Sequence, residues 1–222
     1  MAKHNVGPLG KIQLKRRELQ LRPTGLTLAA HLKGKIKPRP KWRLRPEVLL
    51  CPNVPAPMHG VAPRVVLGPK WWDETRKAAY RSTNYHCVAC GTWKGAAKGH
   101  RWLEGHELYK IDYFRGWMTY VETVPLCHYC HMYVHDGRMN AELERGKMRP
   151  QTYRAIMDHG DRVLAAAGLK RLTHTQRDDA IKAAVLNGRV AEWSRWRLVV
   201  ENGKCYPPRF KTKEAWEREY GR

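Results

Sequence analysis

Between Cys87 and His135 the chain concentrates side chains that bind metals or move protons. Cys87-Val88-Ala89-Cys90 and Cys127-His128-Tyr129-Cys130 are two Cys-x-x-Cys pairs with 36 residues between them. Each pair closes a tight knuckle that presents both sulfurs to one point, so the spacing predicts one tetrahedral, structural Zn2+ held by four thiolates. Such a zinc folds the segment without giving it a reaction. The chemistry has to come from histidines that zinc does not need. His131 and His135 are four residues apart, and a helix over 129–136 puts both imidazoles on one face, where they can hold one metal ion. His106 lies in Leu103-Glu104-Gly105-His106-Glu107, inside a stretch, 102–112, whose aromatic and aliphatic content predicts a strand.

The elements around these residues must bring them together. Residues 72–83 read as a helix, with Asp73 and Glu74 near its start and Trp72, Arg76, Ala79 and Tyr80 at helical spacing. Strands over 102–112 and 117–124 follow, joined by a turn through Arg115 and Gly116, with Pro125 expected to end the second. A helix after Cys127 completes a strand, strand, helix order that carries His106 towards His131 and His135.

On these residues the chain resembles the HNH endonuclease family, whose His-Me or ββα-metal finger is often framed by two zinc knuckles. The match covers about a quarter of the chain. It rests on Trp-x-x-x-Arg running into Cys-x-x-Cys-Gly, on Leu-Glu-Gly-His-Glu, and on Leu-Cys-x-x-Cys-His-x-x-x-His-x-Gly, a pattern similar to a subgroup common in phages and bacteria. The resemblance implies a strand-borne histidine as general base and helix-borne histidines on a divalent cation, Mg2+ or a similar ion, that contacts the scissile phosphate and the leaving oxygen. His131 and His135 match the helix positions, and His106 matches the strand site. Many members carry a metal ligand followed directly by the base. Here either Gly105 replaces the ligand and His106 is the base, or His106 binds metal and Glu107 is the base. The first is preferred, because imidazole titrates near neutral pH whereas a carboxylate needs a raised pKa to match it. Glu122 stands five residues before Cys127, where the family usually has an Asn that orients the base. Glu122 can accept a hydrogen bond from an imidazole N–H but cannot donate one as an amide does. Asp112 and Tyr113, at the far end of the strand, are further candidates for assisting the metal or the phosphate. The family's products are a 5′-phosphate and a 3′-hydroxyl.

The rest of the chain suits a polyanionic partner. The chain as a whole has 42 Lys and Arg against 20 Asp and Glu, a net charge of +22, which favours DNA, with RNA not separable from it by charge alone. Residues 1–50 carry 13 of the basic residues and only Glu18 and Glu47 as acids. Within them Lys35, Lys37, Arg39, Lys41, Trp42, Arg43 and Arg45 alternate basic with apolar groups, as in an extended arm lying along a phosphate backbone. A solvated tail is the plain alternative, and such an arm can order on binding. No apolar run approaches the roughly 20 residues of a membrane span and no signal peptide opens the chain, so an intracellular protein without a membrane partner is expected. Cys51 and Cys205 are left over and read as reduced thiols.

The expected fold class is α+β: a small ββα-metal core with a four-cysteine structural zinc, a basic arm (1–50), a Pro-rich linker (51–70), a nuclease domain (71–148) and a helix-rich C-terminal region (149–222). That last region should contain helices over 150–169 and from Thr173 or Thr175 to about Asn187-Gly188. A hairpin then turns at Asn202-Gly203, and a final helix covers 213–220. His100, His128, His159 and His174 read as surface or packing residues, with His86 and His128 shaping the knuckles. Trp71, Trp72, Trp102 and Trp117 read as structural, while Trp42 in the arm is a candidate for stacking on bases. Three readings follow. One is a metal-dependent nuclease that nicks or cuts DNA, by fold-level analogy a homing or phage-encoded enzyme. The others are a non-catalytic zinc-stabilised nucleic-acid-binding protein, which the altered Gly105 and Glu122 positions favour, and a ribosome-associated RNA-binding protein. The His106, His131, His135 set separates them, because pure binding has no use for it.

Overall fold

The computed structural model describes residues 42–184 and 189–220. The arm positions Lys35, Lys37, Arg39 and Lys41 lie outside the described residues, as does the expected helix end at Asn187-Gly188. The fold is α+β. Helices α1 (Pro63–Val66) and α2 (Gly68–Ser82) precede the first knuckle, and strands β1 (Leu103–Asp112) and β2 (Trp117–Cys127) precede the second. Helices α3 (His128–Val134), α4 (Asp136–Glu144), α5 (Pro150–Ala166) and α6 (His174–Ala184) follow. The C-terminal part holds β3 (Arg197–Val199), β4 (Cys205–Tyr206) and α7 (Lys213–Tyr220). Among the described residues no helix is long and apolar enough to cross a membrane.

The four strands form one sheet in the order β1-β2-β3-β4. The β1–β2 hairpin is antiparallel, with His106 opposite Val124 and a register shift between Leu108 and Tyr109. β3 pairs in parallel with β2 over Trp117–Thr119, and β4 returns antiparallel to β3. The C-terminal hairpin is thus built into the sheet. Its connection is the 3-10 turn Glu201–Gly203, one residue longer than the expected two-residue turn.

Several local expectations are corrected. Pro125 does not end β2, which runs on to Cys127. Its carbonyl accepts a hydrogen bond from Val88 N at 2.9 Å. In a strand the N–H and C=O of one residue point the same way, so the missing proline N–H faces the knuckle and no β1 ladder bond is lost. The stretch over 51–70, expected as a Pro-rich linker, is partly helical. It holds a 3-10 turn at Ala56–Met58 and α1, and α2 already begins at Gly68; Pro63 and Pro69 each occupy a helix first turn, where a missing N–H is harmless. The end of the arm also folds: Pro46–Leu50 is a 3-10 turn whose Val48 and Leu49 are buried.

Two apolar clusters support the sheet. The larger gathers Val48, Leu103, Val124, Leu126, Met132, Tyr133, Met139, Ile156 and Leu164 around the cysteines. The smaller gathers Met58, Val61, Met118, Trp196, Leu198 and Val200 under the C-terminal strands. Helix α3 docks on α5 where Tyr133 meets Gly160, and the Tyr133 hydroxyl donates to Asp161 Oδ1 at 2.6 Å. Helix α6 is opened by a reciprocal cap: Gln176 N donates to Thr173 Oγ1 at 3.1 Å and Thr173 N donates to Gln176 Oε1 at 3.0 Å.

Candidate metal centres and cleft

The first knuckle is closed by its own backbone, with Gly91 N donating to Cys87 O and Cys87 N to Thr92 O, both at 2.9 Å. Cys127 is the N-cap of α3 and Cys130 lies in its first turn. The sulfurs of Cys87, Cys90, Cys127 and Cys130 all lie within 4.8 Å of one another, with Cys90 and Cys127 3.7 Å apart. Hydrogen bonds among the sulfurs push Cys90 and Cys127 down, while burial pushes Cys87 up and neighbouring sulfurs push Cys130 up. Four crowded thiols, three of them buried, cannot all ionise unaided, and a dication resolves the conflict; this donor set can hold zinc. His159, expected to be a packing residue, places Nε2 3.3 Å from Cys130 Sγ. Its pKa rises to about 9 beside the Cys127 and Cys90 sulfurs. Were these sulfurs ionised on a zinc ion, a charged imidazole at this position would donate to Cys130 Sγ and trim the negative charge of the cluster.

A second group stands on the α3 side of the sheet. The His106 ring is 5.5 Å from that of His131 and 5.0 Å from that of His135, and His131 and His135 are 4.6 Å apart, centroid to centroid. One nitrogen from each falls within 4.8 Å of the others, so this set too can hold a metal ion. Helix α3 is shorter than expected and stops at Val134, leaving His135 as its C-cap. Its N–H still donates to His131 O at 3.2 Å, which keeps the four-residue relation and the shared face. Burial, then the nearby His135, His131 and Arg64 charges, hold His106 well below the usual imidazole range. Burial and His131 bring His135 down to about 4. Both rings are neutral near pH 7, the form that accepts a proton or binds a metal.

His106, Glu107 and His135 open onto a cleft of about 820 Å3 bordered by Arg64, Arg138 and Arg145. Glu107 is buried and pairs with Arg64 through one oxygen, while its other oxygen is buried without a partner. Burial outweighs Arg64 and raises its pKa, the direction a carboxylate base requires. The far wall is C-terminal: Trp216 and Tyr220 line the cleft, and Trp216 Nε1 donates to His59 Nδ1 at 3.1 Å.

Other expected site residues stand elsewhere. Position 105 faces α2, because a Cβ on Gly105 would lie 2.8 Å from Trp72 Cη2 and 3.3 Å from Arg76 Cβ. A ligand there would point away from His106. Glu122 is bonded by Arg45 Nη1 at 2.7 Å, and His106 is not among its described partners. Arg45 is thereby engaged within the fold, Trp42 packs on His86 with ring centroids 5.6 Å apart, and Arg43 is exposed. Trp71 packs edge-on against Tyr120 and Trp72 covers Gly105, but Trp102 and Trp117 are 58% and 47% exposed. Cys51 is half-buried, its thiol pushed up to about 11 mainly by burial, and Cys205 is exposed.

Two groups escape the sequence reading. Arg64 gives no signal, since it lies in a proline-rich stretch with no periodicity. Glu104 could have been found: two residues before His106 on a strand, it must share the His106 face. Its carboxylate lies against His131 Nδ1, without the alignment of a hydrogen bond, and accepts from His128 Nδ1 at 2.8 Å. Burial raises the Glu104 carboxyl, but His128 and His131 outweigh it and hold it well below the usual range. Neither a protein-family model, a curated protein nor a solved structure matches this chain.

Proposed function

We propose that the chain is a metal-dependent endonuclease of the HNH type that hydrolyses DNA phosphodiester bonds. One observation carries the reading: His106 of β1, His131 of α3 and His135 at the α3 C-cap converge, and two of them, His106 and His135, open onto a cleft bordered by arginines, in a chain of net charge +22. The strand, strand, helix order and the adjoining four-cysteine set agree with the resemblance read from the sequence. The zinc held by those cysteines is then structural, fixing the strand end that carries His106 against the helix that carries His131 and His135.

His131 and His135 would hold the cation, and the Glu104 carboxylate against His131 restrains that ring. The imidazole donors suit Mn2+ and the later transition divalents at least as well as Mg2+. A cation bound there would supply Lewis-acid chemistry for phosphodiester hydrolysis. His106, neutral and on the same cleft, takes the proton of the attacking water. Arg64, Arg138 and Arg145 bind phosphates of the duplex and offset charge that develops on phosphorus. Glu107 beside Arg64 is the runner-up base. Position 105 faces α2, so the absence of a ligand there does not weigh against catalysis.

The test follows supercoiled plasmid incubated with the purified protein and Mg2+ or Mn2+. Conversion to open-circle or linear DNA that stops with EDTA and in His106→Ala is the expected result. No conversion of several plasmids, with salt-sensitive DNA binding retained, would move the assignment to a zinc-stabilised binding protein. If His106→Ala cleaves as well as the wild type while Glu107→Gln does not, the base is Glu107.

A further inference from the structure

We infer that His100, Glu104 and His128 form a further binding site for a divalent transition cation, separate from the four-cysteine set and from the His106 cluster. Glu104 is the second residue of β1, His128 the first of α3, and His100 lies in the loop before β1. Glu104 Oε1 stands 2.8 Å from His100 Nε2 and 2.8 Å from His128 Nδ1, and the two imidazole centroids are 4.4 Å apart. Three ligand atoms, one from each side chain, fall within 4.8 Å of one another.

The set is built rather than incidental. The loop comes close enough to bring His100 to Glu104 only because residue 99 is glycine. Its φ is +86°, and a Cβ there would stand 2.5 Å from His128 Cδ2. His100 is then held flat against Trp102, with centroids 3.7 Å apart and planes 3° apart. All three ligand side chains are half-buried, so a cation keeps access to solvent for a water ligand. Two imidazoles and one carboxylate match the three-donor, open-position pattern of zinc sites, and nitrogen donors disfavour Mg2+ and Ca2+. The other Glu104 oxygen is turned to His131, so this carboxylate joins the site to the His106 cluster. The inference does not need that cluster to be catalytic.

The test is a calorimetric and optical titration of the full chain with Co2+, after dialysis that removes labile metal and with resident zinc measured by atomic emission. His100→Ala/His128→Ala should take up one equivalent fewer than the wild type, or bind it at least about tenfold more weakly, while keeping its resident zinc. Glu104→Gln should lose the same equivalent, and His135→Ala should retain it. Equal titrations of the wild type and the double variant would overturn the inference. So would a single equivalent lost alike in the double variant and in His135→Ala, which would mean one joint site. If the double variant loses its resident zinc, His100→Ala alone, on the surface loop, decides by the same criterion.

Discussion

Gly160→Ala sets two effects of opposite sign against each other. Gly160 lies inside α5, where alanine favours a helix by about 0.5–1 kcal/mol. The added methyl would also be buried, worth at most about 0.8 kcal/mol. Against this, its Cβ would fall less than 3.0 Å from three ring carbons of Tyr133, where relaxed carbon contacts lie at about 3.5–4.0 Å. The ring has nowhere to go: Tyr133 is 1% exposed and its hydroxyl is tied to Asp161. Overpacking of this kind costs about 1–3 kcal/mol and at times more. A clash with three atoms of a rigid ring belongs at the upper end, so the methyl loses. The net expectation is a destabilisation of about 1–2 kcal/mol, read as a melting temperature lower by about 2–8 °C in a chain of this size. Because Tyr133 shares α3 with Cys130 and His131, the variant should also hold Co2+ more weakly at the histidine cluster. The assay is thermal unfolding by circular dichroism of Gly160→Ala, Tyr133→Leu and the double variant. Tyr133→Leu should relieve the clash and make the alanine neutral or stabilising, a coupling that a double-mutant cycle isolates. A melting temperature unchanged or raised in Gly160→Ala alone would refute the packing argument.

Gly105→Asp, which places a carboxylate where the HNH pattern often has a ligand, should lower stability by about 1–3 kcal/mol against Trp72 and gain no affinity for Mn2+ by calorimetry; tighter binding at an unchanged melt would reverse the facing assigned to that residue. Glu122→Gln removes only a half-exposed ion pair with Arg45, worth about 0.2–1 kcal/mol, so plasmid cleavage should stay within about fivefold; a drop of about 100-fold would put Glu122 in the chemistry. Cys127→Ser should cost the chain its zinc and its cooperative melt, measured by atomic emission and circular dichroism, and full retention of both would exclude a structural zinc there. The fold lowers the proton affinity of His106 and His135, so in the unfolded chain they take up protons near pH 6.5 that the folded chain refuses. Without added divalent ion, stability should therefore be full above about pH 6.5 and fall as pH drops, His135 ceasing to contribute below about 4; an equally steep fall in His106→Asn/His135→Asn would assign the acid sensitivity to other groups.

What the sequence made legible is what local spacing determines. The cysteine pairs announce themselves because two residues must span one knuckle. His131 and His135 remain neighbours even though the helix ends between them, since one backbone bond preserves their offset. Of the two threonines that could cap α6, Thr173 does so, with Gln176 returning the bond. What stayed hidden depends on contacts between distant residues. Pro125 looks like a strand breaker until Val88 is seen to face its empty N–H side. Glu122 looks like a partner for His106 until Arg45, 77 residues earlier, takes it. Arg64 reaches Glu107 from a segment that periodicity cannot read, and helix α4 has too weak an apolar stripe to announce itself. The His100, Glu104 and His128 grouping needs a loop, a strand and a helix to meet, and no single window of sequence contains all three.

The parallel pairing of β3 with β2 also has a consequence in time. The β1–β2 hairpin and the knuckles close over short separations, so they can form early and quickly. The strand that extends their sheet lies some eighty residues later, at Arg197–Val199, and the bond from Trp216 to His59 spans 157 positions. Loop closure of that length is slow compared with a hairpin. During synthesis the histidine cluster should therefore assemble well before its cleft acquires a far wall. A nascent chain would carry a folded hairpin and histidine cluster whose cleft stays open on one side until α7 arrives.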